Sequence, residues 1–265
     1  MTATELQSTV VSTDAWLKAR MALLAEEKEL TRRRDEVARL RRELPWERVD
    51  KDYVFNGPNG PETLASLFNG RSQLIVYHFM LGENWEEGCK SCSFLADHFD
   101  GAAIHLTHRD VSFAVVSQAP MPQIKAFQQR MGWGFHWVSA STNGFQRDYG
   151  VHFTQEELAG EVEYNYGKQR FGATEAPGVS VFYKNEQGEI FHTYSAYARG
   201  LDPLVGAYQF LDLVPKGRDE DGLAFSMSWV RHHDRYDGTY KVDPTAGYEK
   251  PREVRACCDE ERAAS

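Results

Sequence analysis

Apolar residues near the start of the chain recur at seven-residue intervals: Trp16, Leu23, Leu30, Val37 and Leu44. Leu17 and Leu24 widen the early stripe, and Arg32, Arg33, Arg34, Arg41 and Arg42 crowd the charged faces. The pattern predicts one long helix from about Asp14, a suitable N-cap, to Leu44, where Pro45 stops it. Such a helix lies on its own domain or dimerises, since a seven-residue period also suits a coiled-coil seam. The second apolar position of the heptad is mostly unfilled, which favours the helix lying on its own domain.

Beyond Pro45 the periods shorten. Val49–Phe55 reads as a strand, Asn56-Gly57-Pro58-Asn59-Gly60 as a turn, and Glu62–Phe68 as a short helix closed by Asn69-Gly70. Gln73–Met80 is a nearly continuous apolar run, interrupted by His78, as expected of a strand buried on both faces. A loop over 81–88 leads into helix Ser91–Phe99, with Ala103–Asp110 extending it or forming another. Strand Ser112–Ser117, helix Pro122–Arg130 with Ile124, Phe127 and Met131 on one face, and strand His136–Ser139 follow. Residues 140–175 read as polar and irregular, with helical hints at 154–159. Val179–Lys184 and Glu189–Tyr194 form a hairpin about Asn185-Glu186-Gln187-Gly188, and Leu201–Leu213 is a closing helix. This order predicts a compact α/β sheet with an antiparallel edge.

Composition limits the function classes. The formal charge of -9 disfavours nucleic acid and anionic membranes as partners. No apolar run approaches the roughly 20 residues needed to span a bilayer, and the N-terminus lacks the pattern of a secretory signal. A cytoplasmic location is therefore expected. Four cysteines, Cys89 with Cys92 and the adjacent Cys257 with Cys258, are too few for a disulfide framework.

Gly88-Cys89-Lys90-Ser91-Cys92-Ser93 falls just after the first buried strand, at a helix start. A helix N-terminus offers unpaired amides and partial positive charge, which lower the pKa of the first cysteine. Cys89 is thus the expected nucleophile. Cys92, one turn inward on the same face, is the expected resolving thiol, able to attack a mixed disulfide. Lys90 adds positive charge. A metal site is an alternative, since Cys89 and Cys92 need two further ligands from histidines (His105-x-x-His108 is one local pair) or from Cys257 and Cys258. A third reading makes the pair inert within a binding module.

The stretch Thr63–Met80 resembles the opening of peroxiredoxin and thioredoxin-like domains. Together with Gly88–Phe94 and Tyr194-Ser195-Ala196-Tyr197-Ala198-Arg199-Gly200, it resembles the bacterial uncharacterised domain family numbered 899, from about residue 14 to residue 240. The resemblance implies a thioredoxin-like three-layer α/β sandwich, a mixed sheet with an antiparallel edge hairpin, and dithiol-disulfide oxidoreductase activity without a bound cofactor. It also implies substrate-binding roles for a tryptophan near the dithiol and for a cis-proline facing it. The candidates are Trp85, four residues before Cys89 rather than adjacent to it, and Pro177, separated from the strand by Gly178. A peroxidatic threonine three residues before the reactive cysteine is replaced by Glu86, which argues against peroxidase chemistry.

Three further features have two readings each. Arg199 binds an anionic substrate group or the thiolate, or forms a salt bridge tying the hairpin to the last helix. Trp229–Tyr236 is a substrate loop with His232 or His233 as acid/base, or a docked arm anchored by Trp229 and Tyr236, and aromatic anchors favour the arm. Trp133, Phe135, Trp137, Phe145, Tyr149 and Phe153 are core, or in part line a pocket beside Cys89. Cys257 and Cys258 lie on a charged tail and are discounted as a resolving pair. The expected organisation is a helical extension over 1–44, a thioredoxin-like domain over 45–215 and a C-terminal arm over 216–265. The expected partners are a protein or small-molecule disulfide, and a second copy through the N-terminal helix or the arm.

Overall fold

The computed structural model describes residues 8–239 and 241–253; Cys257 and Cys258 lie outside the described residues. Helix α1 runs Thr13–Arg42, capped by Ser12, whose hydroxyl accepts the Ala15 amide, rather than by Asp14. Strands β1 (Glu47–Arg48), β2 (Val54–Gly57) and β3 (Gly60–Thr63) follow, then α2 (Leu64–Leu67) and β4 (Gln73–His78). Helices α3 (Lys90–Ala96) and α4 (Phe99–Thr107) lead to β5 (Val111–Ser117), α5 (Met121–Met131), β6 (His136–Ser139) and α6 (Phe145–Asp148). The chain continues through the small hairpin β7 (Val162–Tyr164) and β8 (Gly167–Gln169) to β9 (Gly178–Lys184) and β10 (Ile190–Tyr197). A 3-10 turn over Ala198–Leu204 and α7 (Gly206–Leu211) replace the expected single closing helix.

The main sheet has the order β1-β10-β9-β4-β5-β6-β2-β3. Strands β4, β5 and β6 are parallel, β9 runs antiparallel to β4, and β10 antiparallel to β9. Taken alone, β5-β4-β9-β10 is a parallel pair beside an antiparallel hairpin, with the dithiol following β4. This is the thioredoxin-like arrangement, three layers deep. Alternate positions of the central strands feed two cores, as the two-residue period of a strand requires. Tyr77 and Val115 meet α3 and α5 on one face; Leu74, Val76, Ala114 and Val116 meet α2 and α6 on the other.

His78 explains the polar break in the β4 run. Its ring is fully buried on the α6 face, with Nδ1 2.5 Å from Gln146 Oε1 and Nε2 2.9 Å from Ser180 Oγ. Ser180 meets Ser195 at 2.8 Å, and Ser195 meets His192 Nε2 at 2.7 Å. Burial pushes the His78 pKa down to about 4, so the ring is neutral and both nitrogens are satisfied.

Several expectations are corrected. Of the stretch 49–55 only Val54 and Phe55 are strand, at the start of β2, which pairs with β3 and β6, while β1 precedes the stretch and joins β10. The first part of 62–68 belongs to β3, because pairing with β2 overrides helical tendency. Residues 140–175 contain α6 and the β7–β8 hairpin. Helix α1, about 45 Å long at 1.5 Å per residue, does not lie on its own domain: none of its residues is buried, and Trp16 is 57% exposed. Arg41 meets the Tyr194 ring at 5.2 Å near its end.

Ahead of β9, an isolated antiparallel bridge joins His152 to Glu175. The Glu175 carboxylate, 1% exposed, accepts from His152 Nδ1 at 2.7 Å. Burial pushes the Glu175 pKa up to about 7, and Glu175 in turn raises that of His152. Both groups therefore hold protons more tightly when folded, and their contribution is lost as pH rises. For Glu175 the window runs from its ordinary value of 4.5 through about 7. Urea midpoints should fall between about pH 5 and about pH 8, and Glu175→Gln should flatten that slope. An unchanged slope in the variant refutes the role.

Candidate functional site: a dithiol under a C-terminal strap

Cys89 is the N-cap residue of α3, with φ -57° and ψ 129°, and Cys92 lies in its first turn. Both are free thiols, 3% and 2% exposed. The main chain of Met80, just past β4, brackets them: its carbonyl accepts the Cys89 amide at 3.0 Å, and its amide donates to the Cys92 sulfur. The Cys89 carbonyl accepts from the Ser93 amide and hydroxyl, each at 2.9 Å, fixing the first turn. Gly88 permits close packing ahead of the turn. A Cβ there would sit 2.5 Å from Phe79 Cε1 and 2.6 Å from Phe127 Cε1.

The environment separates the two thiols. A hydrogen bond from the Cys92 thiol is the largest influence on Cys89. Burial opposes it, and the backbone amides of Cys92 and Ser91 and the Tyr248 hydroxyl add to it, leaving a pKa of about 7. Burial pushes Cys92 well above the ordinary thiol value, reinforced by the hydrogen bond and charge of Cys89. Burial likewise keeps the Tyr77 hydroxyl protonated, and it donates to Cys92. One sulfur is thus prepared to ionise near neutrality while the other retains its proton.

The remaining sequence candidates fall in different places. Trp85 is 5% exposed, immediately upstream of the dithiol, and its carbonyl accepts from Gln123 Nε2. Pro177 directly precedes β9, and its carbonyl accepts the Tyr164 hydroxyl at 2.7 Å. The expected cis bond at Ala176-Pro177 is corrected: no cis peptide bond occurs among the described residues. Arg199 pairs with Asp202 at 3.1 Å and is 87% exposed, held by its ion pair rather than by the sulfurs. His105 and His108 are exposed at the end of α4. Among the described residues, no group of three His, Cys, Asp or Glu side chains is placed to hold a metal ion.

The Trp229–Tyr236 segment docks against the approach to the dithiol. Trp229 packs on Phe94 of α3 at 5.4 Å, and buried His232 places Nε2 2.9 Å from the Gly88 carbonyl. Arg130 bridges Glu87 and Asp234 at 2.8 Å each, and Arg235 meets Glu87 at 2.7 Å. His233 pairs with Asp97 instead. Desolvation lowers the His232 pKa, so its ring is neutral in this contact.

Tyr248 and the segment around it have no sequence signal beyond an aromatic residue in a polar arm. Lys90 pairs with Glu249 at 2.8 Å, the Glu86 amide donates to the Arg252 carbonyl at 2.7 Å, and Trp85 bridges antiparallel to Glu253. The segment closes over Cys89 as a strap.

The Cys89 thiolate should form with a midpoint near pH 7, read from pH-dependent alkylation mapped to that cysteine. Cys92→Ala removes the largest stabilising bond and should move the midpoint upward. A midpoint unmoved by Cys92→Ala contradicts this account.

Comparison with solved structures finds low-identity likenesses. A peroxidoxin BcpB from Mycobacterium tuberculosis shares 12% identity, covers 61% of this chain and 94% of its own, and gives a TM-score of 0.41. A cysteine-to-serine mutant of PrxQ from Xylella fastidiosa shares 9% identity over 62% of this chain and 94% of its own, with a TM-score of 0.40. A putative thiol:disulfide interchange protein DsbE from Chlorobium tepidum shares 10% over 62% and 99%, with a TM-score of 0.37. No curated protein matches the sequence. The family described as bacterial protein of unknown function (DUF899) matches residues 5–236. With that match spanning most of its length, the chain belongs to the DUF899 family.

Proposed function

We propose that this protein is a thiol-disulfide oxidoreductase in which Cys89 is the nucleophile and Cys92 the resolving thiol. The observation that carries the reading is a pair of free thiols at the start of α3, Cys89 at the N-cap and Cys92 in the first turn, in surroundings that lower the pKa of the first and raise that of the second. The Cys89 thiolate attacks one sulfur of a substrate disulfide, forming a mixed disulfide and expelling the other sulfur as a thiolate. Cys92 then loses its proton and attacks the Cys89 sulfur. The second substrate thiolate leaves, and a Cys89–Cys92 disulfide remains. Two electrons pass to the substrate, whose thiolates take up protons. A low-mass thiol or a dithiol protein reverses the change on the enzyme. No organic cofactor is required.

The substrates that suit this chemistry are protein or small-molecule disulfides. The cytoplasm, with its reducing thiol pool, suits a dithiol of this kind. The exposed apolar residues of α1 suit a second copy of the chain. No helix among the described residues is long and apolar enough to cross a membrane.

The burial of both sulfurs favours a second reading, a binding module that retains the fold without turnover. Turnover separates the two. Cys89→Ser should abolish reduction of a disulfide substrate, and Cys92→Ser should accumulate a mixed disulfide on Cys89 visible by mass. Full turnover by Cys89→Ser sinks the assignment. An unreactive Cys89 in the unaltered protein at every pH favours the binding module.

A further inference from the structure

The strap has a register. Glu253 lies opposite Trp85, and the Arg252 carbonyl takes the Glu86 amide. Glu249 pairs with Lys90, and the Tyr248 hydroxyl reaches the Cys89 sulfur. From Trp85 to Cys89, contacts that ascend along the dithiol loop descend along the strap, and Lys90 reaches back to Glu249. A short segment therefore lies antiparallel to Trp85 and Glu86 and runs on to Cys89, using main-chain pairing at one end and an aromatic side chain at the other.

The strap is weakly held for something that covers a thiol so fully. None of its residues from 241 to 253 is buried. Glu249 is 68% exposed, so its ion pair with Lys90 contributes little. The Tyr248 ring, 36% exposed, rests near Phe225 at a centroid distance of 5.6 Å and beside Gly172. Upstream, residues 237–247 contain Gly238 and Gly247, with local turns at Asp237 and Asp243 and one backbone bond to the earlier arm, from the Ala224 amide to the Pro244 carbonyl at 2.8 Å. The earlier part of the arm differs, since Val230 and His232 are buried beneath it. The strap can leave while that anchor stays.

We propose that Tyr248–Glu253 is a displaceable internal stand-in for a polypeptide substrate, and that an extended peptide takes its seat on the Trp85–Lys90 loop. The main chain of such a peptide pairs with Trp85 and Glu86, an aromatic side chain lies beside Cys89, and an acidic neighbour meets Lys90. This is recognition by strand addition, in which backbone bonds give affinity and side-chain seats give selectivity. The inference rests on the oxidoreductase reading for its substrate class, but docking is measurable without turnover.

The test uses the full chain. Tyr248→Ala should raise the alkylation rate of Cys89 about tenfold or more, read by peptide mass mapping on the high-pH plateau where the thiolate is fully formed. The plateau separates access from ionisation. A synthetic peptide with the sequence of residues 246–253 should then restore protection to the variant, and a scrambled peptide should not. An unchanged plateau rate overturns the strap as cover. A faster plateau that the peptide fails to slow, with a low-mass disulfide reacting freely, overturns the polypeptide assignment in favour of small molecules. If the peptide protects Cys89 while no form of the protein reduces disulfides, docking stands and the oxidoreductase reading falls.

Discussion

The constraint on which this structure turns is the placement of an ionisable sulfur where water scarcely reaches. Cys89 is 3% exposed, and an anion there loses its hydration. Protein donors replace that hydration, and they come from distant parts of the chain: the Cys92 thiol and the first amides of α3, and the Tyr248 hydroxyl from the strap. Without these donors, burial alone would raise the Cys89 pKa, as it does that of Cys92. The asymmetry of the pair therefore comes from which sulfur faces the donors. The β4–α3 connection supplies that asymmetry, because Met80 main-chain groups hold one cysteine at the cap and the other inside the first turn.

The sequence makes part of this legible. Strands β4, β5, β6 and β9 are readable because each is covered on both faces, so apolar residues run almost without interruption. The Cys-x-x-Cys spacing locates the site because a helix start after a buried strand leaves few geometries open to it. The elements that escape a sequence reading are short and owe their existence to distant partners. β1 is two residues long and exists through β10, and Glu62 and Thr63 pair with β2 although they read as the start of a helix. Pro177 stands in the expected place, ahead of β9, with the other peptide isomer. Tyr77 and Met80 read as ordinary core residues, since nothing local distinguishes a packed tyrosine from one that faces a sulfur. Tyr248 is illegible for a stronger reason: its segment has no period, and the neighbouring Lys90–Glu249 contact spans 159 residues of chain.

The C-terminal arm shows how one segment serves two purposes with different energies. Its anchor buries Val230 completely, and full burial of such a side chain stabilises by roughly 1.5–3 kcal/mol. The anchor also joins the Glu87–Arg130–Asp234–Arg235 cluster directly ahead of the dithiol. Its contact with the Gly88 carbonyl through neutral His232 supports the loop from which Cys89 emerges. The strap has no comparable burial, and hydrogen bonds, one ion pair with a largely exposed Glu249 and the Tyr248–Phe225 ring contact hold it over Cys89.

One of those bonds has a redox dependence built into it. The Tyr248 hydroxyl donates to the Cys89 sulfur, and it does so best when that sulfur carries charge. Linkage then requires reciprocity: a closed strap favours the thiolate, and a thiolate favours the closed strap. Protonation of Cys89, or its conversion to a disulfide, weakens that acceptor and with it the closed form. The ionised thiol is thus the state in which Tyr248 holds Cys89 most firmly. Burial and thiolate formation are compatible in this arrangement, because groups that enclose the Cys89 sulfur also donate hydrogen bonds to it.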